Sequence, residues 1–241
     1  MIDLFFWPTP NGLKPLIFLK ETGLAYQLKP IDINAGEQFQ PTFLSISPNN
    51  RIPAILDHAP AASGKPLSVF ESGAILIYLA EKTGRFFSDD LRQRVRVLEW
   101  LMWQMGGLGP MLGQNHHFNI YAPEKVPYAV QRYNQEASRL YAVLDGQLNN
   151  RAFICDEYSI ADMACYPWTV GWETQGQNIE DFPYFRRWFE EISARPAVQR
   201  GMAVGEEWSQ DYSKLNEDEI SKIIKILYNQ RARPAPEGGL L

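Results

Sequence analysis

The sequence holds only two cysteines, Cys155 and Cys165, ten positions apart and with no Cys-x-x-Cys pair. That excludes a disulfide framework, a multi-cysteine zinc site and a dithiol redox centre carried by the chain itself. There is no block of lysine and arginine either. The 23 basic residues are scattered among 28 acidic ones, for a formal net charge of -5. An acidic chain without a basic patch offers no electrostatic footing for nucleic acid or an anionic membrane, so neither is expected as a partner. No apolar run reaches the roughly 18 residues that read as a membrane-spanning helix. The opening stretch, Met1-Ile2-Asp3-Leu4-Phe5-Phe6-Trp7-Pro8, has no basic segment ahead of its apolar one. It reads as a strand and not as a signal peptide, and a cytoplasmic location is the expectation.

What the chain does have is apolar and aromatic material: 45% hydrophobic residues and seven tryptophans in 241 residues. That is enough for one large domain or two small ones. Residues 2–7 read as a strand, ended by Pro8-Thr9-Pro10-Asn11-Gly12. Residues 13–23 carry a helical stripe, with Pro15 tolerable in a first turn and Gly23 as a stop. Residues 26–33 alternate as a strand in which Pro30 points to an edge or a bulge. A short helix over 39–46, strands over 53–57 and 67–70 around a connection at 59–66, and a helix over 71–84 complete an α/β region with a mixed sheet. Beyond a join near 85–90, only helical patterns appear, over 91–114 (bent by its glycines and Pro110), 123–150, 159–172 and 184–194, with a short one from Pro196. The expected domains are therefore 1–85 (α/β), 90–208 (all helical) and a tail over 209–241. The tail has an amphipathic helix over 217–228 and a Pro- and Gly-rich, disordered end over 233–241.

Several residues suit chemistry while having a plainer reading. Glu71-Ser72 stands at a strand-to-helix turn, where backbone N–H groups favour an anion; Ser72 would serve equally as a helix cap. Thr9 and Asn11 precede a helix, where hydroxyl or amide donors would stabilise a thiolate, but Thr-Pro-Asn-Gly is also a good turn. His116-His117 cannot easily chelate one metal from a regular helix, because adjacent side chains diverge; no metal is expected. Ser159-x-x-Asp162 reads as a capping box, and the two cysteines read as passive thiols.

The order and spacing of Thr9-Pro10-Asn11-Gly12, Ser47 through Ala54 (SPNNRIPA), Phe70-Glu71-Ser72-Gly73-Ala74-Ile75, Gly106 through Phe118 (GGLGPMLGQNHHF) and Ser159-Ile160-Ala161-Asp162 resemble the glutathione transferases over about residues 1–205. The similarity is closest to the bacterial Nu class, whose members act as glutathione-dependent disulfide-bond oxidoreductases. The resemblance implies an N-terminal thioredoxin-like domain, a C-terminal helical bundle, a homodimer and glutathione as co-substrate. It implies that Thr9 and Asn11 contact the glutathione sulfur. It further implies that the Ile52 backbone, ahead of a cis Pro53, pairs with the cysteinyl backbone. The residues alone favour an ordinary trans proline there. Glu71 would take the γ-glutamyl amine, Ser72 its carboxylate, and Arg132 a glutathione carboxylate. Gln38 is a candidate for the glycyl end, with a solvated amide as its alternative.

With no cysteine near Thr9, both sulfurs of a disulfide exchange would come from glutathione. Reduction of small disulfides is thus the leading expectation. Conjugation to electrophiles or peroxide reduction needs the same thiolate, and a non-catalytic binding protein would keep the same fold.

Overall fold

The structure is a computed structural model that describes residues 1–60, 64–208 and 216–227. The expected disordered end at 233–241, residues 209–215 and part of the 59–66 connection lie outside the described residues. The chain divides into two compact units: Met1–Lys82 together with the segment from Arg200 onward, and Thr83–Gln199. No described helix is long and apolar enough to cross a membrane.

The first unit is built on a four-stranded mixed sheet in the order β2-β1-β3-β4, made of β1 (Ile2–Phe6), β2 (Tyr26–Pro30), β3 (Ala54–Asp57) and β4 (Leu67–Phe70). β1 runs parallel to β2 and antiparallel to β3, and β3 runs antiparallel to β4. As an interior strand β1 buries Ile2, Leu4 and Phe6 completely. Pro30 closes the edge strand β2, as its missing N–H requires. The strand stops there and not at residue 33, because Asp32 accepts from the N–H groups of Asn34 and Ala35 and turns the chain.

α1 (Pro10–Thr22) begins three residues earlier than its apolar stripe suggests. Thr9 is extended and its Oγ1 accepts from Gly12 N at 3.3 Å, while Pro10 supplies the first helical position with its preset φ. Pro15 therefore lies inside the helix, where it cannot donate to the Asn11 carbonyl, and not in the first turn. Packing outweighs that loss: Gly12 through Leu19 are all buried. Gly23, at φ 70, stops the helix. The short helix expected over 39–46 is a single 3-10 turn at Glu37–Phe39 followed by α2 (Pro41–Leu44), and α3 spans Ser72–Thr83.

The second unit contains α4 (Leu91–Trp103), α5 (Gly109–His116), α6 (Pro127–Leu148), α7 (Ile160–Thr169) and α8 (Pro183–Ser193). Wider π-turns at Gln104–Leu108 and His117–Tyr121 bracket α5, and these produce the break expected at the glycines. The glycines of that run have a packing reason. A Cβ at Gly109 would stand 2.7 Å from Gln104 Nε2 and 3.3 Å from Trp168 Nε1, and one at Gly113 3.3 Å from the Trp168 ring. Ser159 and Asp162 form the expected capping box on α7. Asp162 also accepts from Ile154 N and Trp188 Nε1, so this pair serves folding.

α9 (Pro196–Met202) leads back to the first unit. Gly201 lies against Ile17, and Trp208 stacks on Trp7 with centroids 5.9 Å apart and meets the edge of Phe6. Residues 200–208 thus join the α/β unit, although their helical pattern suggested the bundle. α10 (Glu217–Leu227) packs on the same unit: Ile223 is buried and the Ile226 side chain faces Gly36.

Candidate active site

Strand register gathers the sequence motifs at one end of the sheet. Phe5 pairs with Ala54, and Ala54 with Phe70. The chain just beyond each of these residues therefore emerges side by side: Trp7 to Asn11 after β1, Ile52-Pro53 before β3, and Glu71-Ser72 after β4. Phe6 pairs with Pro30, so the loop toward Gln38 leaves from the same end.

The Ile52–Pro53 peptide is cis, as the resemblance implies. The loop before it is fixed from within. Buried Ser47 donates from Oγ to the Arg51 carbonyl at 2.9 Å, Asn50 N donates to the Ser47 carbonyl, and Asn50 takes a left-handed φ of 49. The Ile52 side chain packs against Phe43, Ile46 and Ala54, with Phe5 and Phe70 nearby. With the side chain committed to that cluster, the Ile52 backbone groups are what the loop presents.

Glu71 has φ 68, a conformation that costs a non-glycine residue on the order of 1 kcal/mol or more. Its carbonyl accepts from Ile75 N, so Glu71 and not Ser72 occupies the capping position. The plain reading of Ser72 as the helix cap is thereby overturned: Ser72 is the first residue inside α3, and its side chain is buried. The Glu71 carboxylate is exposed, and its Oε1 accepts from Asn49 Nδ2 at 3.0 Å. Asn49 escaped notice as a separate residue; only its place in the Ser-Pro-Asn-Asn run could have singled it out.

Thr9 uses one oxygen lone pair to cap Gly12, and a hydroxyl retains its proton for another acceptor. Gly12 has no alternative here, because a Cβ would fall 2.2 Å from the Trp7 carbonyl oxygen. Asn11 is half-buried one residue into α1. A second residue missed by sequence reasoning is Lys14, 1% exposed, whose Nζ stands 3.5 Å from Ser72 Oγ.

Gln38 is 5% exposed, which removes the solvated-amide reading. Its Nε2 donates to the Ile33 carbonyl at 3.1 Å, and its buried Oε1 has no protein partner among the described residues. Arg132 belongs to the other unit, exposed on α6 a turn before Glu136. The Arg139 hydrogen bond, followed by the charges of Arg139 and Arg132, holds the Glu136 carboxyl below its ordinary range.

Burial, reinforced by Asp162 and Asp156, pushes the Cys155 thiol up to about 12, and Cys165 is fully buried in α7. His116 stacks on Trp168, with Nε2 3.3 Å from Thr174 Oγ1, and burial lowers its pKa. Among the described residues no cluster of His, Cys, Asp and Glu is arranged to hold a metal ion.

A thioredoxin-like unit that gathers a cis-proline loop, a strand-to-helix Glu-Ser turn and a capped hydroxyl at one end of its sheet, followed by a helical unit, defines a class of thiol-handling proteins. Comparison with known proteins narrows it. Residues 2–81 match the glutathione S-transferase N-terminal domain and residues 110–196 the C-terminal domain. The disulfide-bond oxidoreductase YfcG of Escherichia coli (strain K12) is 55% identical over 203 residues, 84% of this chain and 94% of that protein. A glutathione transferase from Pseudomonas putida, solved with one glutathione disulfide bound per subunit, superposes with a TM-score of 0.80 at 42% identity, covering 84% of this chain and 91% of its own. One from Burkholderia graminis, solved with two glutathione molecules bound per subunit, gives 0.80 at 42% identity, covering 85% and 88%. The chain belongs to the glutathione transferase superfamily and is an enzyme of that kind.

Proposed function

We propose that this enzyme reduces small disulfides with two molecules of glutathione and no cysteine of its own. The observation that carries this reading is that both cysteines of the chain belong to the second unit, Cys165 fully buried and Cys155 half-buried with its thiol raised by burial, which leaves the ligand as the source of reactive sulfur. The name of the relative YfcG and the glutathione-bound neighbours support it.

A first glutathione binds with Glu71 on its γ-glutamyl amine, Ser72 on the neighbouring carboxylate, the Ile52 backbone ahead of Pro53 on the cysteinyl amide and Gln38 toward the glycyl end. The buried Oε1 of Gln38 suits a ligand N–H, since an unmet buried acceptor costs about 1–3 kcal/mol. Arg132 takes a glutathione carboxylate. Thr9 and Asn11 at the N-terminus of α1 donate to the sulfur and keep it ionised. This thiolate attacks one sulfur of the substrate disulfide. The S–S bond breaks, the departing thiolate takes a proton from solvent, and a mixed disulfide with glutathione remains. A second glutathione thiolate attacks the glutathione sulfur of that intermediate, releasing the other substrate thiolate and glutathione disulfide. Two thiols are oxidised and one disulfide is reduced, so electrons balance without a metal or redox cofactor.

The enzyme acts as a homodimer in this reading. Leu91, Val95 and Met102 expose an apolar stripe along one face of α4, the kind of surface a second subunit covers. A cytoplasmic location suits the chemistry, because glutathione is kept reduced there. The test is turnover of hydroxyethyl disulfide with glutathione, read as glutathione disulfide formed, beside conjugation of an aromatic halide. Disulfide turnover well above conjugation is expected. Conjugation with little disulfide turnover would make this an ordinary transferase, and binding with neither activity would make it a binding protein.

A further inference from the structure

We infer that α10 braces the glycyl end of the glutathione site: its Ile226 holds the Gly36 turn in place, and that turn presents Gln38. Ile226 is thus a positioning residue that acts through Gln38. This deepens the proposed function and rests on its assignment of Gln38 to the glycyl end.

Gln38 sits between β2 and α2, in a stretch whose only regular structure is the 3-10 turn Glu37–Phe39. Polar groups of the loop hold it together. Glu37 N donates to the Asp32 carbonyl at 3.1 Å, Asp32 N to Glu37 Oε2 at 2.7 Å, and Phe39 N to the Gly36 carbonyl at 3.1 Å. Gly36 is the pivot: at φ 83 it reverses the chain directly ahead of the turn, in a backbone region that favours glycine. Two residues on, Gln38 is buried, with Nε2 on the Ile33 carbonyl and Oε1 without a protein partner among the described residues. An amide anchored through its nitrogen to the same loop moves with that loop, so the aim of Oε1 is set by the backbone over 36–38. α10 meets the body at this pivot. A Cβ at Gly36 would stand 3.5 Å from Ile226 Cγ2, ordinary van der Waals contact, so the Ile226 side chain covers the face that the glycine leaves bare. Ile223, three positions earlier and on the same side of the helix, is buried, whereas Ser221, Lys222 and Lys225 are exposed. Asn216 and Glu219 cap the helix reciprocally at 3.0 Å each way, so α10 starts from its own local sequence. Loops with few apolar contacts open locally at little cost. A branched apolar side chain seated on the pivot raises that cost where Gln38 needs it.

The test is the ratio of affinities for glutathione and γ-glutamylcysteine, which lacks the glycyl residue and its amide N–H, by calorimetric titration of the full chain. Turnover of hydroxyethyl disulfide is followed alongside. Gln38→Ala is expected to cut the preference for glutathione by about 3- to 10-fold, the worth of one hydrogen bond. Ile226→Asp, which sets a charge against the pivot, is expected to cut it by a similar factor. It should raise the KM for glutathione while leaving kcat within about twofold, and Ile226→Val should restore the wild-type ratio. The double variant Ile226→Asp/Gln38→Ala should lose no more preference than Gln38→Ala, because both changes act on one contact. Ile226→Ala is read in the same way should Ile226→Asp compromise folding. A helix that only adds stability would lower the melting temperature and leave the ratio alone; that result overturns the inference, as does a loss in the double variant equal to the product of the two single losses. A wild-type protein without preference, or Gln38→Ala without effect, removes the assignment of Gln38 itself. If Gln38→Ala cuts the preference and the Ile226 variants do not, only the brace fails.

Discussion

Thr9 has two tasks at a single oxygen atom, and they can be separated. Its Oγ1 accepts from Gly12 N at 3.3 Å as the cap of α1, and its proton is proposed to serve the glutathione sulfur. Thr9→Ala removes both. The lost cap is worth about 1 kcal/mol, which for a chain of this size lowers the melting temperature by roughly 2–4 °C. The lost donor is a charge-assisted hydrogen bond of about 1.5–3 kcal/mol, or about one to two pKa units at 1.36 kcal/mol per unit. A thiol unassisted by protein ionises near 8.5, whereas helix N-termini with donors bring thiols to about 7.5 or below.

The acid limb of kcat/KM against pH, and the thiolate absorbance of bound glutathione near 240 nm, should therefore move up by one to two units in Thr9→Ala, a shift of order 10- to 100-fold in rate near neutral pH that is largely recovered above pH 9. Thr9→Ser keeps the hydroxyl and should reproduce both wild-type curves. An alanine variant with a lower melting temperature but an unmoved pH profile would show that Thr9 is a cap and nothing more.

The double variant Cys155→Ser/Cys165→Ser should reduce disulfides within about twofold of the wild-type rate, because a thiol at about 12 is almost wholly protonated near neutral pH; loss of turnover with the fold retained would put a protein cysteine back into the mechanism. Gly12→Ala, whose Cβ would meet the Trp7 carbonyl at 2.2 Å, should cost about 1–3 kcal/mol and lower kcat/KM beyond any effect of Thr9→Ser. Wild-type stability and kinetics together would refute the tight approach of α1 to the sulfur loop. Burial lifts the Asp162 carboxyl to about 6, from an ordinary 3.8, against the pull of its four hydrogen bonds. A raised folded-state pKa favours the fold below the unfolded value, and that contribution is lost as pH rises through about 6. Urea unfolding at pH 5 and pH 7 should show about 1 kcal/mol more stability at pH 5 from this group. The increment should vanish in Asp162→Asn, and an identical pH slope in the two proteins would contradict it.

Local signals carried the reading of the fold furthest. Pro30 ends an edge strand because a proline cannot donate to a ladder, and Ser159 with Asp162 caps α7, both facts contained in a few adjacent residues. The start of α1 was legible in Thr9-Pro10 but was overridden by the apolar stripe that begins at Leu13. The return of residues 200–208 to the first unit was not legible: the stack of Trp208 on Trp7 joins positions some two hundred apart, and neither tryptophan differs locally from an ordinary core residue. The same holds for Lys14 and Ser72, although a lone charge in Leu13-Lys14-Pro15-Leu16-Ile17 was a hint that something buried must meet it. Asn49 could not be assigned to Glu71 either, because the two lie 22 positions apart and meet only in the folded chain.

These missed residues share a character. The motif residues Thr9, Ile52 and Ser72 present a hydroxyl, a backbone edge and a helix start. What would make such a site choose glutathione over another cysteinyl peptide is the γ-glutamyl end, and only charge can read a zwitterion. In the proposed binding mode the charge that meets the ammonium of that end is Glu71, whose carboxylate Asn49 holds. In that binding mode thiolate stabilisation is written in contiguous sequence, whereas the hold on the γ-glutamyl end depends on a tertiary contact, Asn49 on Glu71. It follows that substitutions at Asn49 should alter the affinity ratio between glutathione and its analogues while leaving the pH profile of the sulfur in place, and that substitutions at Thr9 should do the reverse.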